Sequence, residues 1–271
     1  PPMENGRVTR YLSIRPHRQE PPIAQHAKPG RIEELDIARA VALVAMAVFH
    51  FTFDLELFGI APPGTMHTPF WRVFAMLTAG SFIMIAGLSL RLAHPDRIRW
   101  RPFFRRFAKV ALAAGLVTGA TYIFIPQGFV YYGILHSIAL SSLVGLAVLR
   151  FPVLLLFLLA AFVIWLPATF RSDIFTAPWL LWTGLAPQIP YTVDFEPFFP
   201  WFAPFVLGIA LVKLAERRNL PARLGSSPPK TSRLTRAAIW AGRHSLLVYL
   251  VHQPILLALT WGLAKTLGTL P

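Results

Sequence analysis

The sequence has no cysteine and little charge. With no thiol among its 271 residues, disulfides, thiol nucleophiles and cysteine-based metal sites are excluded. Charged residues make up 14% of the chain and hydrophobic ones 55%, whereas a soluble domain carries about 25% charged residues. Acidic residues are scarcest: 12 Asp and Glu stand against 26 Lys and Arg, for a net charge of +14. Three catalytic signatures are also missing: a phosphate-cradling glycine-rich loop, a His-Glu-x-x-His zinc motif and a Gly-x-Ser-x-Gly nucleophile elbow. Phosphoryl transfer and metal-assisted hydrolysis lose their usual support, and no metal site is expected.

What the sequence does have is long apolar runs, with a mean hydropathy of +0.54. A spanning helix needs roughly 20 apolar residues, and in lipid the backbone must satisfy its own hydrogen bonds. The fold class expected is therefore all-α, a polytopic membrane helix bundle. About seven transmembrane helices are expected, near residues 37–57, 71–92, 107–125, 131–149, 151–169, 198–215 and 238–264. The stretch 170–197, rich in Pro and Trp, reads as a short re-entrant or interfacial segment with room for one more short helix. Residues 1–30 read as a disordered basic tail and residues 31–271 as one transmembrane domain, with no internal repeat and no cleavable leader.

The basic residues fall in three groups between the apolar runs. They are the tail (Arg7, Arg10, Arg15, Arg18, Lys28, Arg31), the second loop (Arg91, Arg97, Arg99, Arg101, Arg105, Arg106, Lys109) and the last loop (Arg217, Arg218, Arg223, Lys230, Arg233, Arg236). The opposite loops hold little beyond Arg72 and Arg171. This pattern belongs to a protein whose partner is the lipid bilayer and not to one that binds nucleic acid. By the positive-inside rule the N-terminus is cytoplasmic, and the expected location is the inner (plasma) membrane, crossed several times.

Ionisable groups inside spans are costly and mark functional sites by default. His50 and Asp54 lie four residues apart on one face of the first span. A carboxylate there could orient the imidazole as a general base, though a structural polar pair is also open. Arg39, eleven residues before His50, lies on nearly the same face, about 16 Å closer to the cytoplasm. His136 begins the fourth span, as a site residue or a packing residue. His67 stands in an outer loop, and Asp194, Glu196 and Trp201 stand at the outer end of the sixth span. His252-Gln253-Pro254 is expected to break the last helix and turn His252 inward.

Leu35-Asp36-Ile37-Ala38-Arg39 through Phe49-His50-Phe51, Phe103-Phe104-Arg105-Arg106, and Gly242-Arg243-His244-Ser245 through Tyr249 to Pro254 resemble the transmembrane acyltransferase superfamily. Within it, His50 to Asp54, Phe58-Gly59, Gly133-Ile134-Leu135-His136, the segment from Asp194 to Trp201 and the final His-Gln-Pro resemble bacterial relatives of the heparan-α-glucosaminide N-acetyltransferase catalytic domain. His67-Thr68-Pro69-Phe70 is similar to that enzyme's catalytic-histidine motif. The resemblance implies an acyltransferase taking acetyl-CoA from the cytoplasm and acylating a hydroxyl or amine of a glycan or glycolipid outside. It implies that Arg39, Arg105, Arg106 and Arg243, with His252, hold the acyl-CoA, and that Asp194 and Trp201 face the acceptor. The base comes from His50 (with Asp54), His67 or His136, and a channel is expected to join Arg39 to His50. A transporter or lipid flippase without acyl transfer is the alternative.

Overall fold

The computed structural model describes residues 32–220 and 232–269; the basic tail, Arg223 and Lys230 lie outside them. Within the described residues the chain forms eight α-helices and no β-strand: α1 Glu33–Leu57, α2 Pro69–Ala93, α3 Trp100–Phe124, α4 Ile134–Val148, α5 Val153–Thr169, α6 Phe198–Glu216, α7 Arg233–Arg243 and α8 Ser245–Leu267. The chain is an all-helical membrane bundle. Five helices (α1, α2, α3, α6 and α8) are long and apolar enough to cross a bilayer. The 15 residues of α4 and 17 of α5 reach only about 22–25 Å at 1.5 Å per residue. Irregular chain at residues 125–133 and 170–197 accompanies these two helices; residues 132–133 and 183–186 are buried, while 125–127 and 187–191 are exposed.

Local chemistry sets the helix starts. Glu33, Glu34 and Asp36 occupy the first turn of α1, where carboxylates complement the exposed N–H groups. Proline opens α2 at Pro69 and stands immediately before α5 (Pro152) and α6 (Pro197), positions that need no backbone donor. Helix α6 is the packing centre, lying most extensively against α2 and α5. At its crossing with α2, Gly87 and Gly208 bring the backbones together. A Cβ on Gly87 would sit 2.0 Å from the Phe205 carbonyl, and one on Gly208 2.3 Å from that of Met84. Small residues at such a crossing suit membrane helices, whose association rests on close packing. Phe205, Ile83, Leu156, Ile209 and Val206 fill the core around it.

Two sequence expectations are corrected. Residues 238–264 are not one helix, because α7 ends at Arg243 and His244, with ψ 25°, separates it from α8. The reason is composition: Arg233, Arg236 and Arg243 alternate with Leu234, Ile239 and Trp240, the pattern of a helix lying in the membrane interface. Helix α8, in turn, runs unbroken through Pro254, so the His-Gln-Pro break is absent. A single proline removes only the bond to the carbonyl four residues back. Residues 170–197 contain no α-helix, only the 3₁₀ turns Asp173–Thr176 and Leu181–Thr183.

Candidate active site

Polar groups gather in three places. The first is the basic end of the bundle, where α1 starts and α2 ends. Asp36 is 1% exposed and accepts from Arg39 Nη1 at 2.6 Å, while Arg243 Nε stands 3.6 Å from its other oxygen. Arg39 Nη2 also donates to Ser89 on α2 at 2.6 Å. Arg243 reaches Asp36 because Gly242 lies directly on the Asp36 backbone, where a Cβ would meet the Asp36 carbonyl at 1.9 Å. The buried carboxylate therefore fixes two guanidinium groups at this end. Arg105 and Arg106 are exposed on α3, and Arg106 lines a cavity between α2, α3 and α4.

The second place is the α1–α8 contact. The His50 and His252 rings stand 5.0 Å apart, edge to face. The ring of Tyr249 is 5.6 Å from His252. His252 Nδ1 bonds to the Tyr249 carbonyl, 2.5 Å away. A carbonyl only accepts, so Nδ1 carries the proton. That leaves Nε2 with a lone pair, and it is buried without a partner. An imidazole anchored through Nδ1–H with a free Nε2 is the arrangement a general base requires. Asp54, fully buried, accepts from Gln253 Nε2 at 2.8 Å. The expected His50–Asp54 couple is not formed; among the described residues no hydrogen bond or ion pair joins them. A four-residue spacing permits contact, but Gln253 arrives from α8 and takes the carboxyl first. Asp54 Oδ2 and Gln253 Oε1 remain buried and unpartnered, so acceptors crowd this spot.

The third place is the start of α4. Gly133 N–H donates to His136 Nδ1 at 3.2 Å, so the ring proton is on Nε2, which lies 3.3 Å from Thr118 Oγ1. Thr118 Oγ1–H donates to the Val130 carbonyl at 2.7 Å. Both nitrogens of His136 are engaged, and neither is available as a base without breaking a bond. Asp194 Oδ2 accepts from Ile134 N–H at 3.1 Å, capping the helix. Burial raises the Asp194 carboxyl to about 6, against the lowering effect of that bond. Burial, and then the neighbouring charge of Asp194, push Glu196 well above the usual carboxyl range. Trp201, half-buried in α6, stands beside Gly80 of α2. His67 is exposed on the turn Thr65–His67, which Glu56 holds by accepting from Gly64 and Met66 N–H, both at 2.7 Å. Among the described residues it has no ring contact or hydrogen bond with His50 or His252.

The expected open channel is also corrected. Leu43 and Met46 lie between Arg39 and His50 on the same stripe of α1, and are 4% and 5% exposed. Packed apolar side chains fill the line between the two polar clusters. Sequence reading assigned no role to Tyr249 or Gln253; their proximity to the α1 site arises only when α8 packs against α1.

A family model described as heparan-alpha-glucosaminide N-acetyltransferase, catalytic, matches residues 31–254. No curated protein and no solved structure matches the chain. The matched stretch includes all three polar clusters.

Proposed function

We propose, from the premise that the chain belongs to the heparan-alpha-glucosaminide N-acetyltransferase catalytic family, that this membrane acyltransferase uses acetyl-CoA from the cytoplasm and acetylates a hydroxyl or amine on a glycan or glycolipid at the opposite face. The observation that carries the chemistry is His252, anchored through Nδ1 with Nε2 free beside His50. Nε2 takes the proton from the acceptor O–H or N–H as that atom attacks the thioester carbonyl carbon. The C–S bond breaks, and the departing CoA thiolate recovers a proton from the imidazolium. Base catalysis of this kind contributes about 10²–10⁴-fold. His50, half-buried against the same ring, helps position the acceptor.

The donor enters at the basic end, which the positive-inside rule places in the cytoplasm. Arg39, Arg105, Arg106 and Arg243 offer guanidinium forks to its phosphates. With Leu43 and Met46 packed between Arg39 and His50, the thioester reaches His252 only if both side chains move aside, and Met46, unbranched, adapts most easily. At the other end Trp201 and the second carboxyl oxygen of Asp194 face the acceptor.

Transfer from labelled acetyl-CoA in membranes tests the scheme. Loss of labelled product in both His252→Gln and His50→Ala is the expected result, and wild-type rates in both variants refute it. Comparing surface glycans with and without the protein identifies the acceptor through the acetyl group lost.

A further inference from the structure

We infer that the cavity between α2, α3 and α4 at the basic end is an adenine-nucleotide subsite, which rests on the donor being a CoA thioester. The cavity measures about 160 Å³ and is lined by Leu90, His94, Arg99, Phe103, Arg106 and Phe107, among others. A void of about 150 Å³ accommodates one aromatic ring, so the buried part takes one ring of a purine and the other lies towards the open rim. Its floor is buried, with Leu90 2%, Phe103 4% and His94 6% exposed, while its rim at Arg99, Pro102 and Arg106 is open.

His94 gives the cavity its chemistry. Its Nδ1 lies 2.9 Å from the Leu90 carbonyl, so the ring proton sits there and Nε2 is an acceptor. Nε2 is buried and has no partner. An unpaired buried acceptor is costly, and a ligand N–H donor would satisfy it. The histidine is held firmly, because Arg91 donates to the carbonyls of His94 (3.2 Å) and Pro95 (2.8 Å) and pairs with Glu216 of α6 at 2.8 Å. Phe103 stands 6.1 Å from the His94 ring and stacks on Phe107, centroids 6.0 Å apart and 19° from parallel. An aromatic wall, an unpartnered acceptor on the lining residue His94 and two guanidinium groups at the mouth together suit a flat base with an exocyclic amine and phosphates. A lipid acyl chain would fill the same volume but leave His94 Nε2 unpaired.

Two measurements on the purified full chain in detergent test the assignment. Adenosine 3′,5′-bisphosphate, the nucleotide portion of CoA, should bind the wild type. It should bind His94→Leu about tenfold more weakly, the scale of one lost hydrogen bond, and His94→Gln, which restores an acceptor, close to normally. In acyl transfer, His94→Leu should raise KM for acetyl-CoA about tenfold with kcat unchanged, and leave KM for acetyl-4′-phosphopantetheine, which has no nucleotide, as in wild type. Undetectable bisphosphate binding, or a KM shift equal for both thioesters, overturns the subsite. If neither thioester is turned over by the wild type while His94-dependent nucleotide binding persists, the acyltransfer scheme fails and the subsite stands.

Discussion

At the start of α4, His136 accepts from Gly133 through one nitrogen and meets Thr118 through the other. On α8, His252 spends one nitrogen on the Tyr249 carbonyl and keeps the other bare in a buried site. Both are helical histidines in an apolar protein; by sequence His136 is a candidate base and His252 a donor-binding residue. Their hydrogen-bond partners separate them. A ring with both nitrogens engaged holds structure, whereas a ring with one anchored and one free is prepared to move a proton.

The sharpest break of this contrast is His252→Gln. It should lower the acetyl-transfer rate by about 10²–10⁴-fold with the protein still folded, as judged by its unfolding midpoint. A loss below tenfold would place the base elsewhere, His50 being the next candidate by proximity.

Next in size is Asp54→Ala. The carboxyl is fully buried and accepts the Gln253 amide from a helix 199 positions away in sequence, so its removal orphans that amide and loosens α8 from α1. Stability should fall by about 2 kcal/mol, read from thermal unfolding in detergent. Asp54→Asn, which keeps an acceptor, should recover most of it. An unchanged midpoint in Asp54→Ala would show that the Asp54–Gln253 bond does not hold the two helices.

His136→Ala gives the counterpart. Two neutral hydrogen bonds disappear, at about 0.5–1.5 kcal/mol of stability each, and the transfer rate should stay within a few fold of wild type. A rate loss as large as that of His252→Gln would erase the distinction between the two regions.

Much of this architecture was legible in the sequence, and the reasons differ from part to part. Apolar runs about 20 residues long leave little choice but helices, so α1, α2 and α6 were readable within a few residues, whereas α3 starts at Trp100, seven residues before the expected 107, because its first turns carry Arg101, Arg105 and Arg106. The α7–α8 boundary was not, since Ile239-Trp240 extends the apolar pattern across an amphipathic segment that ends at His244. The candidate residues His50, Asp54 and His252 announced themselves as polar groups in apolar surroundings. Their pairing did not. Helical spacing put Asp54 on the face of His50, yet Gln253 claims it, because local periodicity carries no information about which side chain arrives from another helix. Likewise Leu43 and Met46 were visible as apolar residues of α1, and only packing shows that they close the line between Arg39 and His50.

The smallest expected effect concerns pH and the α4 end. Asp194 titrates near 6, raised by burial despite its bond from Ile134 N–H, above the roughly 3.9 of an unfolded chain. A carboxyl whose folded value lies above its unfolded value favours the fold while protonated. Its contribution is therefore complete below about pH 4 and is lost as pH rises through about 6. Asp194→Asn keeps an amide oxygen to accept from Ile134 and cannot ionise, so the fall in unfolding midpoint across that window should flatten. The same change removes the charge that helps raise Glu196, so Glu196 should ionise at lower pH than in wild type. Unfolding midpoints of both proteins in steps from pH 4 to 7 decide it. Parallel curves would mean that the Asp194 carboxyl is solvated, and would leave His136 and its partners as the principal polar anchor of this end.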